Sequence, residues 1–406
     1  MRTLLRFCLP ALLALAAAGS LRMAPAAAQP TPLRLGVASD LNGPYAGLGG
    51  KGSLLAAQMA AEDFGGTVLG RPVEVLQIDT QNKPDIGASL VKEWFDRQDV
   101  RAVLDGSASS VGLAIQTLAK QSGRMFLSTG SFTSELVGTP CTTSTIQFIP
   151  NTRGLAVAGL QEAMAEGVDT WFFLTPDYAF GTAMQRDATG YIDANGGRVL
   201  GAALHPLGQS DLSAYLLRAQ SSGAKALAIA SAGGDLVNAV KQVSEFGLAG
   251  GPIRIYGLLV NFSDLEALGE EGQGLRFATA TYWAMNDRTR AWSERFMARL
   301  GGHQPTMVHA MTYSAVTHYL KAVRATGTDG TEAVLKAMRA APVNDIWVEN
   351  APIRADGRVM NDLYTARVRR PGETKDKRDT VEIGIRMPAA RLYDGPSACP
   401  LLRAAN

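Results

Sequence analysis

Two short polar stretches carry the side chains of this sequence that are best suited to bind an ion. Gly106-Ser107-Ala108-Ser109-Ser110 follows an apolar run that ends at Leu104, and Ser128-Thr129-Gly130-Ser131 follows a run that ends at Leu127. Hydroxyl groups and the free N–H groups at the start of a helix hold an anion without a charged side chain. The same residues are also common helix N-caps. Because the two stretches follow successive predicted strands, they favour a site for a small anion.

The usual catalytic and cofactor motifs are not matched. Residues 47–52 fit G-x-G-x-x-G, but the acidic residue that a dinucleotide site needs about 20 positions later is missing. The phosphate-binding loop motif G-x-x-x-x-G-K-[ST] is not matched, because Tyr45 stands in place of its first glycine. Neither H-E-x-x-H nor G-x-S-x-G occurs, and three Cys exclude a four-cysteine zinc site. We therefore expect no catalytic residues, no metal and no cofactor.

Length and composition predict a globular protein of two or three domains. The chain has 406 residues, of which 46% are apolar and 19% are charged. Its formal charge is +2, and the charges are spread along the chain. A nucleic-acid-binding protein would have a basic face, so we expect no nucleic-acid partner.

The first 28 residues are typical of a secretory signal peptide. Arg2 and Arg6 precede a short apolar stretch at 7–18, and three alanines at 26–28 offer a cleavage site. An uncleaved anchor or a buried helix is the alternative, but the apolar stretch is too short to span a bilayer. We expect an exported, periplasmic mature protein that starts near Gln29 and does not insert into the membrane.

Cleavage would leave two cysteines, Cys141 and Cys399. In an oxidising compartment they could form one disulfide that closes a very long loop. The neighbouring Pro140 and Pro400 place both cysteines in irregular segments, where such a link is plausible. Two unrelated buried thiols remain the alternative.

The hydrophobic pattern predicts two arrays of alternating strands and helices, and hence parallel sheets covered by helices. The predicted elements of the first array are strands 33–39, 73–79, 102–104 and 125–127 and helices 52–64, 86–96 and 111–121. After Pro150 the pattern restarts, with strands 170–175, 199–205, 226–230 and 253–256 and helices 155–166, 180–194, 212–221 and 236–246. From Phe277 onward the pattern changes to helices 289–300, 307–326 and 331–338, then to antiparallel strands 348–353 and 363–368.

Several motifs, in this order, carry a family likeness: Gly43-Pro44-Tyr45, the two polar stretches, Asp177-Tyr178-Ala179-Phe180-Gly181, Gly233-Gly234-Asp235, Tyr282-Trp283, Asn344-Asp345 and residues 353–358. Together they resemble the periplasmic solute-binding proteins of ABC importers, of the branched-chain amino-acid (Leu/Ile/Val) type. The likeness covers essentially the whole mature chain.

The resemblance implies an α/β fold of two doubly wound, parallel-sheet lobes joined by a three-segment hinge. One lobe would comprise 29–150 plus 280–347, and the other 151–279 plus 348–406. A small molecule would bind in the cleft between them, the lobes would close around it, and the membrane subunits of the importer would recognise the closed form.

The resemblance also implies a set of binding residues. In the first lobe the carboxylate-binding positions match Ala108, Ser109 and Ser131, with Ser107 adjacent. The apolar wall matches Leu48, with Tyr45 nearby. In the second lobe an aromatic position matches Phe180, preceded by Tyr178. The remaining candidates are Leu259, Asp235 and Trp283.

One departure from the family concerns the ligand's ammonium group. The stretch at 257–261 lacks the acid that amino-acid binders place there, and Asp235 is the only nearby candidate to replace it. An ammonium buried without a counter-charge would cost several kcal/mol. We therefore expect a carboxylate or amide-like solute, such as an aromatic or branched acid, rather than an amino acid.

Two other classes remain open. The same bilobed receptor could report a solute to a signalling partner instead of delivering it to an importer. Alternatively, the protein could be an exported α/β enzyme that uses Asp79, Asp177 or Asp235.

Overall fold

The computed structural model describes residues 30–370, 372–373, 378–393 and 398–403. In this part of the chain the strands form two sheets, and helices cover both to give two α/β lobes. The predicted signal peptide at 1–28 lies outside the described residues. Within them, no helix combines the length and the apolar character that a membrane crossing requires.

The first lobe is built on a six-stranded sheet. Its strands are β1 (Leu33–Ser39), β2 (Thr67–Val68), β3 (Arg71–Asp79), β4 (Val100–Asp105), β5 (Met125–Ser128) and β6 (Thr145–Gln147), in the order β2-β3-β1-β4-β5-β6. All neighbours are parallel except β2 and β3. The helices between the strands are α1 (Gly50–Asp63), α2 (Pro84–Arg97) and α3 (Ser109–Gln121).

The second lobe is built on a seven-stranded sheet. Its strands are β7 (Thr170–Pro176), β8 (Arg198–His205), β9 (Ala226–Ile229), β10 (Arg254–Gly257), β11 (Arg276–Thr279), β12 (Leu363–Val368) and β13 (Val381–Met387), in the order β13-β12-β11-β10-β9-β7-β8. β7 to β11 are parallel, whereas β12 and β13 are antiparallel to their neighbours. Its helices are α4 (Thr152–Ala165), α5 (Ala179–Ala194), α6 (Ser213–Ser221), α7 (Gly233–Glu245) and α8 (Phe262–Leu268).

Three later helices return to the first lobe: α9 (Asp287–Arg299), α10 (Met307–Thr326) and α11 (Thr331–Ala340). α10 packs along α1, and Arg295 and Arg299 of α9 form ion pairs with Asp63 and Glu62. The chain then forms β12 and β13, and in the described residues these are followed by two short helices, α12 (Ala389–Leu392) and α13 (Pro400–Arg403). The chain thus passes three times between the sheets. The residue limits given above for the two lobes remain a prediction.

The strands were predicted well where they are buried on both faces. All residues of β7 are buried, as are nearly all of β1, and continuous apolar runs of this kind are typical of parallel strands covered by helices. The prediction of two doubly wound α/β lobes is confirmed. The sheets are mixed rather than wholly parallel, because β12 and β13 extend the second sheet in the antiparallel sense.

The predicted strand at 348–353 was wrong. This segment crosses between the lobes and makes only isolated pairings, Val343 with Ala351 and Ile353 with Val359. Pro352 cannot donate to a ladder, so the segment does not extend a sheet. The antiparallel partners of β12 are instead β11 and β13. β13 was not among the predicted strands, because it is an edge strand whose exposed Ile385 blurs the alternation of apolar and polar residues.

A buried guanidinium joins the crossing after β6 to the crossing before β12. Arg358 is fully buried, and its five N–H groups donate to acceptors on both crossings. The acceptors are Gln147 Oε1, the carbonyl oxygens of Phe148, Ile149 and Val359, and Asn361 Oδ1. Because every donor is satisfied, this charge can remain buried without a direct carboxylate partner.

Cys141 and Cys399 form a disulfide across a sequence separation of 258 residues, with their Cα atoms 5.6 Å apart. The predicted pairing is confirmed. Cys141 lies between β5 and β6 of the first lobe, whereas Cys399 follows α12, which packs on α4 of the second lobe. The disulfide therefore ties the end of the chain to the first lobe.

Replacement of both cysteines, C141S with C399S, should lower the free energy of unfolding by about 2–5 kcal/mol, because the cross-link restricts the unfolded chain. Urea denaturation of the variant and the oxidised wild type measures the difference. Reductant should lower the wild-type value and leave the variant unchanged. Equal stability of the variant and the oxidised wild type would contradict the prediction.

A buried histidine fixes the start of α1 to α10. His309 Nδ1 accepts from the backbone N–H of Thr306 at 3.1 Å, so Nε2 carries the proton and donates to the carbonyl oxygen of Gly49 at 2.9 Å. Burial lowers the pKa of His309 to about 4. The ring is therefore neutral at pH 7, and a second proton would break the bond from Thr306.

The free energy of unfolding should fall as the pH drops from 6.5 toward 4, because the unfolded chain then binds a proton at His309 that the folded chain does not. Between pH 7 and pH 5 the wild type should lose about 1–2 kcal/mol more than the H309Q variant. Denaturant titrations at both pH values test this. Parallel pH profiles for the two proteins would refute it.

Candidate ligand-binding site

A cavity lies between the two lobes at the carboxyl ends of their strands. Its walls are formed by Tyr45, Leu48, Ser107, Ala108, Ser109, Gly130, Phe132, Tyr178, Phe180, Ala232, Leu259 and Val308. Eight of the eleven predicted binding residues are among them: Tyr45, Leu48, Ser107, Ala108, Ser109, Tyr178, Phe180 and Leu259. Two lobes that are separate in sequence thus bring the predicted residues together.

Four wall residues were not predicted from the sequence. Gly130 and Phe132 belong to or follow the second polar stretch, and Ala232 directly precedes the Gly233-Gly234-Asp235 motif. These three residues could have been predicted from their closeness in sequence to these motifs. Val308 had no such signal, because it comes from α10, far along the chain from the strands that it meets.

The polar wall of the cavity is the start of α3. Asp105, Gly106 and Ala108 have φ angles of +72°, +73° and +67°, which turn the chain sharply between β4 and α3. Ala108 is the N-cap residue and no side chain caps this helix. The first N–H groups of a helix have no partner within it, so the N–H of Ser109, a wall residue, is available to a ligand in the cavity. The helix dipole adds a positive potential at the same point.

The buried carboxylate of Asp105, which was not predicted from the sequence, holds this turn in place through hydrogen bonds. Asp105 accepts hydrogen bonds from Ser107 Oγ at 2.6 Å and from Ser39 Oγ at 2.7 Å. Burial raises the pKa of Asp105 above its usual value. A Cβ atom at Gly130 would lie 1.9 Å from Asp105 Oδ1, so only glycine allows the second polar stretch to pass this close. Because Ser107 Oγ donates its proton to Asp105, that proton is already used within the turn.

The second lobe adds two more helix starts to the cavity. Tyr178 is the N-cap residue of α5, and Ala232 is the N-cap residue of α7. Neither helix is capped by a side chain. Three helix N-termini, those of α3, α5 and α7, therefore converge on one space, an arrangement that favours negative charge.

Aromatic rings form the rest of the walls. The Tyr178 ring lies 6.1 Å from the Phe180 ring, and Phe132 of the first lobe meets Phe180 edge-on at 6.5 Å. The hydroxyl groups of Tyr45 and Tyr178 form a hydrogen bond from one lobe to the other. Burial is the main cause that raises the pKa of both phenols, so both stay protonated at neutral pH.

Three predicted residues lie off the cavity walls. Ser131 donates to the carbonyl oxygen of Gly106 and supports the first polar stretch from behind. Asp235 is buried and accepts from the N–H of Gly208 at 3.1 Å, and burial raises its pKa. Trp283 packs in the core of the second lobe against Tyr282.

The walls contain no charged side chain among the residues that the structure describes. Asp105 and Asp235, the carboxylates discussed above, are not among the wall residues. In the same described ranges, no cluster of His, Cys, Asp and Glu could hold a metal ion. The arrangement can bind a small molecule through backbone N–H groups, hydroxyls and aromatic faces.

Comparison with known proteins agrees with this geometry. A family model described as periplasmic binding protein matches residues 32–376. A periplasmic binding protein from Burkholderia mallei is 36% identical over 91% of this chain and 99% of its own, with a TM-score of 0.89. A branched-chain amino acid ABC transporter periplasmic ligand-binding protein from Burkholderia xenovorans is 34% identical over the same shares, with a TM-score of 0.80.

A leucine binding protein from Thermotoga maritima has the same fold, with a TM-score of 0.76 at 19% identity, over 88% of this chain and 99% of its own. The search of curated proteins found no match. Since the family model covers most of the chain and two solved structures exceed 30% identity over nearly all of it, the chain belongs to the periplasmic binding protein family and has its type I fold.

Proposed function

We propose that this protein binds a small carboxylate between its lobes and delivers it to the membrane subunits of an ABC importer, without catalysing a reaction. The observation that carries the proposal is the start of α3, where free N–H groups meet a cavity whose other walls are apolar or phenolic. Such a site holds a carboxylate by neutral dipoles. The proposed place of action is the periplasm, reached by means of the N-terminal export signal.

The body of the ligand is best matched by a flat aromatic ring or a branched aliphatic chain. Tyr45, Phe132, Tyr178 and Phe180 offer ring faces and edges, and Leu48 offers an aliphatic surface. Aromatic side chains bind such groups with large apolar contact and specific geometry. A neutral amide-like solute is the nearest competitor, because N–H groups also bind a carbonyl oxygen.

An α-amino acid fits less well. Its ammonium group would need a counter-charge in the closed cleft, and no wall residue carries one. Asp235, the predicted candidate, is not a wall residue and accepts from the N–H of Gly208 instead. The relative from Burkholderia xenovorans belongs to a branched-chain amino acid transporter, so leucine is the decisive competitor in a binding test.

Three proteins of the same fold indicate which compounds to use in such a test. Solute-binding proteins from Rhodopseudomonas palustris were solved with benzoate, p-hydroxybenzoic acid and 3,4-dihydroxybenzoic acid, at 16%, 20% and 19% identity to this chain. At this identity the likeness extends to the fold alone. The proposal for this chain therefore rests on its own cavity.

Benzoate, p-hydroxybenzoate and isovalerate should raise the melting temperature of the purified protein, whereas leucine should not. A ligand at 100 times its dissociation constant adds about 2.7 kcal/mol to the free energy of unfolding. Benzamide, which keeps the ring and loses the charge, separates a carboxylate site from an amide site. A shift with leucine and none with the carboxylates would overturn the proposed ligand class.

Substitution at the α3 N-cap tests where the carboxylate binds. The A108D variant places a negative charge at the proposed anion position and should weaken benzoate binding at least tenfold, roughly 1.4 kcal/mol. The A108N variant has nearly the same shape without the charge and serves as the matched control. Both side chains would stand on the same backbone, whose φ is +67°, so the comparison isolates the effect of the charge. Isothermal titration measures both, and equal losses in the two variants would place the carboxylate elsewhere.

A further inference from the structure

The chain passes between the lobes a fourth time, after its last sheet strand. The segment that does so, here called the strut, comprises residues 389–393 and 398–399 of the part of the chain that the structure describes. At its beginning, α12 packs on α4 of the second lobe. At its end, Cys399 is bonded to Cys141 of the first lobe. The other three passages are continuous backbone between the sheets, whereas this one is completed by a disulfide.

We propose that the strut restrains the separation of the two lobes and thereby strengthens ligand binding. Closure of two lobes around a ligand is a hinge motion, and the ligand must supply the free energy that separates the open arrangement from the closed one. A connection that makes wide opening more costly lowers this requirement. The part of the inference that concerns the ligand rests on the proposed function, whereas the restraint follows from contacts within the chain.

The beginning of the strut is firmly attached to the second lobe. The N–H of Ala389 donates to Asp362 Oδ1, just before β12, at 2.8 Å. Tyr393 is 3% exposed, and its ring lies against the start of α4. A Cβ atom at Gly154 of that helix would be 2.5 Å from Tyr393 Cε1, so only glycine leaves room for the ring. This end of the strut therefore moves with the second lobe.

The same ring also contacts the hinge. It lies over the guanidinium of Arg358, with 4.6 Å between the guanidinium carbon and the ring centre, which is a favourable cation–π distance. The carbonyl oxygen of Tyr393 accepts from Arg354 Nη1 at 2.9 Å. Arg358 already joins the crossing after β6 to the crossing before β12. Two crossings and the strut are thus packed around one buried guanidinium, and bending of either crossing has to move against Tyr393.

The other end of the strut is attached to the first lobe at an edge that faces the second lobe. Cys399 is fully buried, and the N–H of Cys141 donates to the carbonyl oxygen of Gly138 at 3.0 Å. In the same loop, Ser134 Oγ donates to Asp187 of α5 at 2.6 Å, so this loop meets the second lobe directly. Such a hydrogen bond can be exchanged for bonds to water when the lobes separate. The disulfide cannot, so it keeps the strut in place during opening.

Small-angle X-ray scattering of the ligand-free protein tests the restraint. The C141S/C399S variant should have a larger radius of gyration than the oxidised wild type. Reductant should enlarge the wild type in the same way and leave the variant unchanged, because the variant has no disulfide to reduce. Far-UV circular dichroism checks that each form is folded. Equal radii for the oxidised wild type, the reduced wild type and the folded variant would overturn the proposal.

Two substitutions at Tyr393 test the strut while the disulfide is intact. Y393L removes the ring from its contacts with Gly154 and Arg358 and should enlarge the ligand-free protein. Y393F is the matched control, because it keeps the ring and removes only a hydroxyl that has no hydrogen-bond partner among the described residues. This pair decides the question if the double cysteine variant does not fold. Equal radii for Y393L and Y393F would contradict the proposal.

Isothermal titration with benzoate measures the effect on binding. The oxidised wild type should bind benzoate about threefold to tenfold more tightly than C141S/C399S does, which is within the range for residues that act on a ligand without touching it. Equal or tighter binding by the variant would refute the strengthening of binding. If no form binds benzoate, the proposed ligand class fails, and scattering of the ligand-free proteins decides the restraint.

Scattering in saturating benzoate distinguishes separated lobes from a loose end of the chain. The ligand-bound forms of the wild type and C141S/C399S should have equal radii of gyration, because the ligand holds both lobes together. A difference that persists in saturating benzoate would show that only the end of the chain has come loose, and it would refute the restraint.

Discussion

In a parallel sheet the strands all end at the same edge, and the helices that follow begin there with unpaired N–H groups. In this protein α3 starts at that edge of one lobe, and α5 and α7 start at that edge of the other. The three passages of the chain between the sheets turn these edges toward each other. The location of the cavity and its proposed preference for negative charge both follow from this arrangement.

Negative side chains near the cavity are kept off its walls. The carboxylate of Asp105 accepts hydrogen bonds from the hydroxyl groups of Ser39 and Ser107. The carboxylate of Asp235 accepts one from the N–H of Gly208. Their carboxylates order the loops, and burial raises the pKa of both. The surface left for a ligand consists of backbone dipoles, hydroxyls and rings, which suits a carboxylate that brings no positive charge of its own.

The sequence predicted the elements whose patterns are local. β1, α10 and β12 begin and end where the hydrophobic pattern placed them, because their burial is periodic or continuous. It also identified most of the cavity walls, since these residues follow strands. It could not identify Asp105 or Val308, whose importance arises from contacts with distant segments. Trp283 was placed in the cleft because spacing along the chain does not reveal which side of a loop faces the core.

The disulfide bears on the export that is proposed for this chain. Under reducing conditions Cys141 and Cys399 would remain thiols, and the polypeptide would lack a cross-link between positions 258 residues apart. Without the cross-link the unfolded chain keeps more conformational freedom, so the protein is easier to unfold before oxidation. Oxidation after the proposed export would then stabilise the folded form against unfolding. The protein would therefore gain its full stability only in the compartment where it is proposed to act.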